Sequence, residues 1–289
     1  MKTLTLILTL LSAAALNCAV HAQQSTYWTN TGTGNWDEDG NWSNGVPYYN
    51  TWVDCKDAYI DNGGTAIVEY GNFQNLHVDQ TSALVVANDG QLTGSSLFND
   101  AGTLTILNGG KVEVDYLINN SVTTVGENGV VVIDRGLGNS GYLGGTGTIQ
   151  GTTNVYEIDL MSDSHLASTL TITLDYWVFE SGSIIDYENT ALLATDGIAI
   201  RIGGNIVIDF SSLTELGEVQ VLDWSGALII SGDISADQFT SAGEGVEGTF
   251  SVTNNQLYFN ATAVPEPSTW FLLGAGLGAL ALTTRRRRS

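Results

Sequence analysis

The sequence predicts an all-β protein whose body is a right-handed parallel β-helix, a form of β-solenoid, between two targeting segments. The chain has 34 glycines but only 3 prolines, and the glycines separate short runs of β-branched residues. Turn-forming triplets recur about every twenty residues, and apolar residues show almost no helical spacing. Such repetition is typical of solenoids, whose units are stable only when each is stacked on its neighbours.

The repeat is clearest in the first half of the body. The triplets Asn88-Asp89-Gly90, Asn108-Gly109-Gly110 and Glu127-Asn128-Gly129 each precede an apolar strand. Asparagine and glycine tolerate the left-handed conformation of tight corners. Coils of about twenty residues, stacked at ~4.8 Å, predict roughly a dozen coils over the ~240 residues of the mature chain. The repeat weakens after about residue 152, where a β-sandwich remains an alternative.

Strands are predicted wherever a β-branched run lies between turn residues. In chain order they are Thr65–Tyr70, Ala83–Ala87, Gly102–Leu107, Lys111–Asp115, Val130–Asp134, Gly147–Gln150, Val155–Leu160, Thr169–Leu174, Ile198–Ile202, Ile206–Phe210, Gln220–Trp224, Thr249–Val252 and Gln256–Asn260.

The amino-terminal segment, residues 1–22, has the three parts of a secretory signal peptide. Lys2 forms a short basic region, Leu4–Leu16 is apolar, and Val20-His21-Ala22 fits the small-residue cleavage pattern. We expect signal peptidase to release a mature chain that begins near Gln23. Cys18 would be lost with this segment, so Cys55 would have no partner for an internal disulfide.

Residues 23–62 form a region rich in aromatic side chains, for which two interpretations stand. Four of the seven tryptophans lie here: Trp28, Trp36, Trp42 and Trp52. An open solenoid end exposes strand edges and apolar core, so these rings are suited to a cap. Alternatively, exposed rings beside Asn and Asp could stack on sugars. Trp28, Trp36 and Trp42 are therefore both cap residues and candidate carbohydrate contacts.

The carboxyl-terminal segment, residues 264–289, combines a Pro-Glu-Pro motif, an apolar run and a basic end. Residues 270–284 carry no charge and are followed by Arg285, Arg286, Arg287 and Arg288. As a helix, fifteen residues would extend ~22 Å, which is short for a bilayer core of ~30 Å but can cross a thinned one. The arginines would stay on the cytoplasmic side, so we expect a transmembrane helix and an exported body.

These residues resemble the PEP-CTERM sorting signal of Gram-negative bacteria. The resemblance rests on Val264, Pro265, Glu266 and Pro267, the apolar helix, and Arg285 to Arg288. It implies that an exosortase recognises the motif and cleaves near it. It also implies an intermediate anchored in the inner membrane, and delivery to the cell surface or extracellular matrix. The family is often found in species that make extracellular polysaccharide, which is therefore a candidate partner.

The body resembles the glycine- and asparagine-rich β-helical passenger regions of autotransporter-type proteins. The resemblance rests on the opening residues Thr31–Pro47 and on the closing residues Gly217–Asp223 and Gln256–Phe259. It implies a β-helix. The sequence leaves no room for the carboxyl-terminal membrane barrel of that family, so self-transport is not expected, and the sorting tail replaces the barrel as the link to the envelope.

The charge distribution excludes one class of partner. Between the two targeting segments lie four basic and 30 of the 31 acidic residues, because Glu266 belongs to the tail, and their formal charge is 4 − 30 = −26. Nucleic acid binding requires clustered Lys and Arg, so it is not expected. The densest acidic turn contains Asp37 and Asp39, which are weak candidates for Ca²⁺, although the spacing is not that of an EF-hand. No other cofactor is expected.

No arrangement of residues in the sequence predicts an enzyme. His77 and His165 are the only histidines of the mature chain, and no zinc or nucleophile motif is present. Carboxylate pairs such as Asp186 with Glu188, or Asp54 with Asp57, could support glycoside hydrolysis, but acidic residues are too abundant to make either pair specific. We therefore expect a non-enzymatic surface or matrix protein with a structural or adhesive role. The alternative is a carbohydrate-binding or polysaccharide-degrading β-helix protein.

Overall fold

The computed structural model describes residues 25–48, 57–151, 157–161, 164–173, 176–188, 190–193, 199–229 and 233–264. The predicted signal peptide, the predicted transmembrane helix, Trp52, Asp54 and Cys55 lie outside the described residues. Two short 3₁₀ helices, Asp39–Asn41 and Ala236–Gln238, are the helices of the described part. No helix within those residues is long and apolar enough to cross a membrane.

The described residues are otherwise built from β-strands. In chain order they are β1 Thr26–Tyr27, β2 Thr33–Asn35, β3 Ala58–Ile60, β4 Thr65–Val78, β5 Ala83–Asn99, β6 Thr103–Ile106, β7 Lys111–Asn119, β8 Val122–Val125, β9 Val130–Asn139, β10 Tyr142–Gly145, β11 Thr148–Gly151, β12 Glu157–Leu160, β13 His165–Ala167, β14 Thr171–Thr173, β15 Tyr176–Phe179, β16 Ile184–Asp186, β17 Leu192–Leu193, β18 Ala199–Ile202, β19 Ile206–Asp209, β20 Gly217–Asp223, β21 Leu228–Ile229, β22 Phe239–Ala242, β23 Glu247–Thr253 and β24 Gln256–Ala263.

Twenty of these strands belong to one sheet that winds into a three-sided coil, and all its strand pairings are parallel. The rungs of the first face are Gly34, Ala66, Leu84, Leu104, Thr123, Leu143, Leu166, Ile185, Ile208 and Ser241. The rungs of the second face are Gly71, Leu92, Val112, Val131, Ile149 and Ile172. The rungs of the third face are Thr26, Ala58, Leu76, Leu97, Leu117, Leu137, Ile158, Trp177, Ile200 and Ile229.

This architecture confirms the predicted parallel β-solenoid, whereas its right-handedness stays a prediction. Leu97, Leu117 and Leu137 lie at twenty-residue intervals, as the repeat predicts. The predicted number of coils is too high, because the two long ladders have ten rungs each. Later coils are longer: Ile208 pairs with Ser241, 33 residues further along the chain.

Alternate residues of each strand point into the coil and form one continuous core. Leu76, Leu97 and Leu117 stack on successive rungs with no exposed surface. Each buried aliphatic side chain of this kind contributes roughly 1.5–3 kcal/mol to folding. The parallel ladder satisfies the backbone amides and carbonyls of the inner coils at the same time. The burial of the apolar side chains and the hydrogen bonding of the backbone are therefore both achieved by one register between neighbouring strands.

The predicted corner triplets lie between the first and second faces. The middle residue of each has a positive φ: 57° at Asp89, 72° at Gly109 and 56° at Asn128. The backbone nitrogen of Asp89 donates to the carbonyl of Asn108 at 3.1 Å, which links successive corners. A Cβ on Gly109 would lie 2.3 Å from Oδ1 of Asp89, so glycine is needed there for space as well as for conformation.

The second and third faces meet without a glycine-rich turn. β7 and β9 each continue through both faces, with a register shift between Val114 and Tyr116. Phe73 is fully buried at this junction, and a Cβ on Gly94, its partner on the next coil, would lie 2.4 Å from the Phe73 ring. Gly94 therefore provides the volume that the large ring occupies.

Three asparagines form a hydrogen-bonded ladder inside the corner between the third and first faces. Asn99, Asn119 and Asn139 are fully buried and occupy one column. Nδ2 of Asn99 donates to Oδ1 of Asn119 at 2.8 Å, and Nδ2 of Asn119 donates to Oδ1 of Asn139 at 2.7 Å. The same amides donate to the carbonyls of Val122 and Tyr142, each at 2.9 Å. The ladder ties three coils together and satisfies corner carbonyls that water cannot reach.

The parallel sheet continues to Ala242, so the region after residue 152 is solenoidal rather than a sandwich. A separate four-stranded sheet in the order β17, β20, β24, β23 contains two antiparallel pairs. Its Phe250 and Phe259 pack against Phe210, which follows β19, with ring centroids 6.1 and 4.2 Å from that of Phe210. This sheet therefore covers core residues of the last coils.

Candidate functional site

The three described tryptophans of the amino-terminal region form a compact cluster. Trp28, Trp36 and Trp42 are 2%, 1% and 4% exposed. The ring of Trp42 lies edge-on to both others, with centroids 5.0 Å from Trp28 and 4.9 Å from Trp36. Nε1 of Trp42 donates to the carbonyl of Trp36 at 2.8 Å. Nε1 of Trp36 would lie 2.9 Å from a Cβ on Gly71, the first rung of the second face.

The same region covers the free edges of β1 and β2. The backbone nitrogens of Thr29 and Ser43 donate to the carbonyls of Asn41 and Tyr27, so residues 41–43 lie along β1. Nδ2 of Asn41 donates to the carbonyl of Asn35 at 2.9 Å, on β2. These contacts leave the amino-terminal edge with few free groups for pairing with another chain.

This geometry favours the cap over the carbohydrate interpretation of the tryptophans. A sugar needs an exposed ring face, and the rings of Trp28, Trp36 and Trp42 face one another and the core. Their faces would become available only if the cap opened. The sequence could not show whether these side chains are buried or exposed, because a cap and a sugar-binding surface require the same residue types.

The acidic turn proposed for Ca²⁺ forms local hydrogen bonds. Oδ1 of Asp39 accepts from the backbone nitrogen of Val46 at 3.1 Å, and Asp37 is exposed. The carboxylate of Glu38 accepts from Asn35 and Asn41. Within the described residues, no group of three or more His, Cys, Asp or Glu side chains is arranged to hold a metal ion.

A second cluster lies on the outside of the first face, where a histidine meets a carboxylate. Nδ1 of His165 lies 2.9 Å from Oδ1 of Asp186 on the next coil. The carboxylate of Glu188 accepts a hydrogen bond from Oγ1 of Thr169 at 3.0 Å. Burial raises the pKa of Asp186 although His165 opposes the change, and the negative charges of Asp209 and Glu188 raise it further. Burial and the negative charges of Glu188 and Asp186 also raise the pKa of Tyr142.

The raised pKa of Asp186 predicts how the protein's stability depends on pH. Between the ordinary carboxyl pKa of about 3.9 and the higher folded value, the folded state binds more proton than the unfolded state. The free energy of unfolding should therefore decrease as pH rises through this window. Asp186→Asn should flatten that part of the profile in urea denaturation, whereas Asp37→Asn, on an exposed turn, should not. A parallel profile for Asp186→Asn would contradict the prediction.

A row of stacked aromatic and histidine rings lies on the outside of the third face. Tyr27, Tyr59, His77 and Phe98 occupy one column on successive coils. Their ring centroids are 5.0, 4.8 and 4.5 Å apart, and the planes differ by 17°, 6° and 5°. Ile118 continues the column, which then reaches Gly138. We name Tyr27, Tyr59, His77, Phe98 and Ile118 the ring stripe.

The ring stripe was not predicted from the sequence. Its residues differ in type and lie outside the strand predictions, which ended before the third face. A signal was nevertheless present in the spacing. His77, Phe98 and Ile118 are separated from one another by nearly the same number of residues as the successive glycine triplets, and each precedes a corner. Aligning the sequence on that interval would have placed them in one column.

Of the other predicted carboxylate pair, Asp54 with Asp57, only Asp57 lies within the described residues. Its Oδ1 accepts from Nδ2 of Asn75 at 2.8 Å. The described basic residues of the body each face a carboxylate: Lys111 lies 2.7 Å from Glu113, Arg135 4.0 Å from Asp115 and Arg201 2.6 Å from Glu180.

The described chain ends where the sorting motif begins. β24 ends at Ala263, and the partly buried Val264 packs against the core. A family described as the PEP-CTERM protein-sorting motif matches residues 263–288. A search of curated proteins and a search of solved structures found no match. The chain therefore carries a PEP-CTERM sorting motif behind a β-solenoid body, and it is an exported protein that an exosortase processes on its way to the cell surface.

Proposed function

We propose that this exported β-solenoid is a non-enzymatic structural or adhesive element of the cell surface or extracellular matrix. The observation that carries the proposal is the closure of the coil. The tryptophan cluster and residues 41–43 cover the first rungs, and the antiparallel sheet covers core residues of the last ones. A rod protected in this way resists uncontrolled edge-to-edge growth outside the cell.

The state of the charged side chains supports the same proposal. A polysaccharide lyase of β-helix type needs a basic residue that is free to remove a proton. Of the basic residues that the structure describes in the body, Lys111, Arg135 and Arg201 each face a carboxylate instead, and Lys56 lies outside the described residues. The large negative charge keeps such a protein soluble and separates it from anionic polymers.

Two measurements test the proposal. Intact-mass analysis of the exported protein should show a chain without Arg285 to Arg288, and their retention would contradict cleavage of the tail. Deletion of the gene should weaken cell attachment or matrix cohesion while growth on polysaccharide stays unchanged. Adhesion equal to that of the parent strain would count against the structural role.

Polysaccharide hydrolysis remains the rival function because of the Asp186 cluster. The raised pKa of Asp186 suits a general acid, and Glu188 lies two residues further along the chain. If this rival is correct, the exported protein should release reducing sugar from a polysaccharide, and Asp186→Asn and Glu188→Gln should each abolish the release. Release by the parent protein would overturn the non-enzymatic proposal.

A further inference from the structure

His77, Phe98 and Ile118 of the ring stripe lie on a part of the third face without formal charges. The strand segments of the third face in four successive coils are 75–78, 96–99, 116–119 and 136–139, and none contains Asp, Glu, Lys or Arg. Charged residues surround this part: Asp57, beside Tyr59, accepts from Nδ2 of Asn75 at 2.8 Å, Asp100 lies 3.6 Å from His77, and Asp115 lies 4.0 Å from Arg135. The column of the ring stripe continues after Gly138 to Asp159. The corresponding segments of the first face are also uncharged, but they expose mainly threonine, valine and alanine.

The rings are not closed off from solvent by their own stacking. Planes in contact lie about 3.5 Å apart. Centroids 4.5 to 5.0 Å apart therefore belong to rings that are stacked in parallel with a lateral offset. Tyr59, His77 and Phe98 are half-buried rather than buried, and Tyr27 at the end of the row is 44% exposed.

Polar groups run beside the stripe on the same face. Asn75, Ser96 and Tyr116 form the neighbouring outward column. They offer an amide, a hydroxyl and a phenol within one strand width of the rings. Burial raises the pKa of Tyr59, and Asp57 and Tyr27 raise it further, so its phenol keeps its proton and can donate a hydrogen bond.

The dimensions of the stripe favour a narrow, linear ligand over a protein. Five rungs at ~4.8 Å give a length of ~19 Å, and a four-residue strand is ~13 Å wide. The resulting area of ~250 Å² is well below the ~800 Å² that each partner buries in a stable protein complex. Two copies of a body with formal charge −26 would also repel each other.

We infer that the ring stripe binds an uncharged polysaccharide chain that lies along the axis of the solenoid. The offset rings contact the apolar C–H faces of successive sugars, while the polar column bonds to their hydroxyl groups. A neutral chain avoids the repulsion that the acidic corners impose on an anionic one. The inference deepens the proposed adhesive role by naming the class of ligand, and it rests on that role only for its biological setting.

The test is affinity electrophoresis of the exported protein in gels that contain one polymer each. Hydroxyethylcellulose and dextran serve as neutral polymers, and carboxymethylcellulose is the anionic counterpart of the first. We expect retardation by at least one neutral polymer and none by the anionic one. Phe98→Ser should weaken the retardation at least tenfold in apparent Kd, whereas Phe98→Tyr should preserve it.

Val85→Ser is the matched control, because Val85 is a half-buried outward residue of the first face. It should bind as the parent protein does, and circular dichroism and thermal melting should show that all variants are folded. Unchanged mobility of the parent protein in both neutral gels would overturn the inference, as would equal retardation of Phe98→Ser. Concentration-dependent dimerisation that Phe98→Ser abolishes would instead assign the stripe to a second copy. None of these results depends on the route of export.

Discussion

Replacing Trp36 with alanine is expected to lower the free energy of unfolding by about 3–5 kcal/mol, the usual cost of emptying a site that holds a buried aromatic ring. Trp36 is 1% exposed and lies over Gly71, where no side chain could fill the space in its place. Its loss would also remove the edge-on contact with Trp42. The first rung of the second face would then be open to water.

Urea denaturation and hydrogen exchange measure this effect in complementary ways. Because each coil interacts mainly with its neighbours, the loss of protection should be largest in β2 and in the first half of β4. Tyr70→Ala is the matched control: Tyr70 is adjacent to Gly71 but 71% exposed, and its removal should cost under about 0.5 kcal/mol. Equal effects of the two substitutions would show that Trp36 does not cap the coil.

The second large effect is expected at Asn119, in the middle of the asparagine ladder. Asn119→Ala removes a donor from Oδ1 of Asn139 and an acceptor from Oγ1 of Thr123, which donates to Asn119 at 2.8 Å. A buried polar group left without a partner costs about 1–3 kcal/mol. With the cavity included, we expect a loss of about 3–5 kcal/mol.

Asn120→Ala provides the control within the same corner. Asn120 is exposed, donates to Asp100 at 2.9 Å and accepts from Ser140 at 2.6 Å, so it belongs to a ladder of similar chemistry in water. Its loss should change stability by less than about 0.5 kcal/mol. If Asn119→Ala changed the free energy of unfolding as little as Asn120→Ala, water could replace the buried ladder. The hydrogen bonds of the ladder between coils would then contribute nothing measurable to stability.

The sequence predicted the coil because the corner between the first and second faces has a local requirement. Asp89, Gly109 and Asn128 must adopt a positive φ, and few residue types do so readily. The corner between the second and third faces has no such requirement, because in the described coils none of its residues has a positive φ. All thirteen strand predictions coincide with observed strands, but most of the third face in the first coils was missed for this reason.

The interior polar column was missed for a different reason. Asn99, Asn119 and Asn139 are spaced by twenty residues, yet asparagine is usually a turn residue, and none of the strand predictions included them. Only the positions of neighbouring coils show that the amides lie inside. The role of the tryptophans also depends on the positions of neighbouring coils. Residue type alone does not show whether a tryptophan ring is buried against the end of the coil or exposed to solvent.

The position of β24 affects how the sorting enzyme can reach its substrate. β24 is bonded on one side to β20 and on the other to β23, and Val264 continues into contact with the core. Only this one residue separates the sheet from Pro265, so the body has no spacer before the motif. We therefore expect an exosortase that cleaves near Pro265 to act close to a folded domain, where fraying of the last pairs around Ala263 would increase the length of chain open to it.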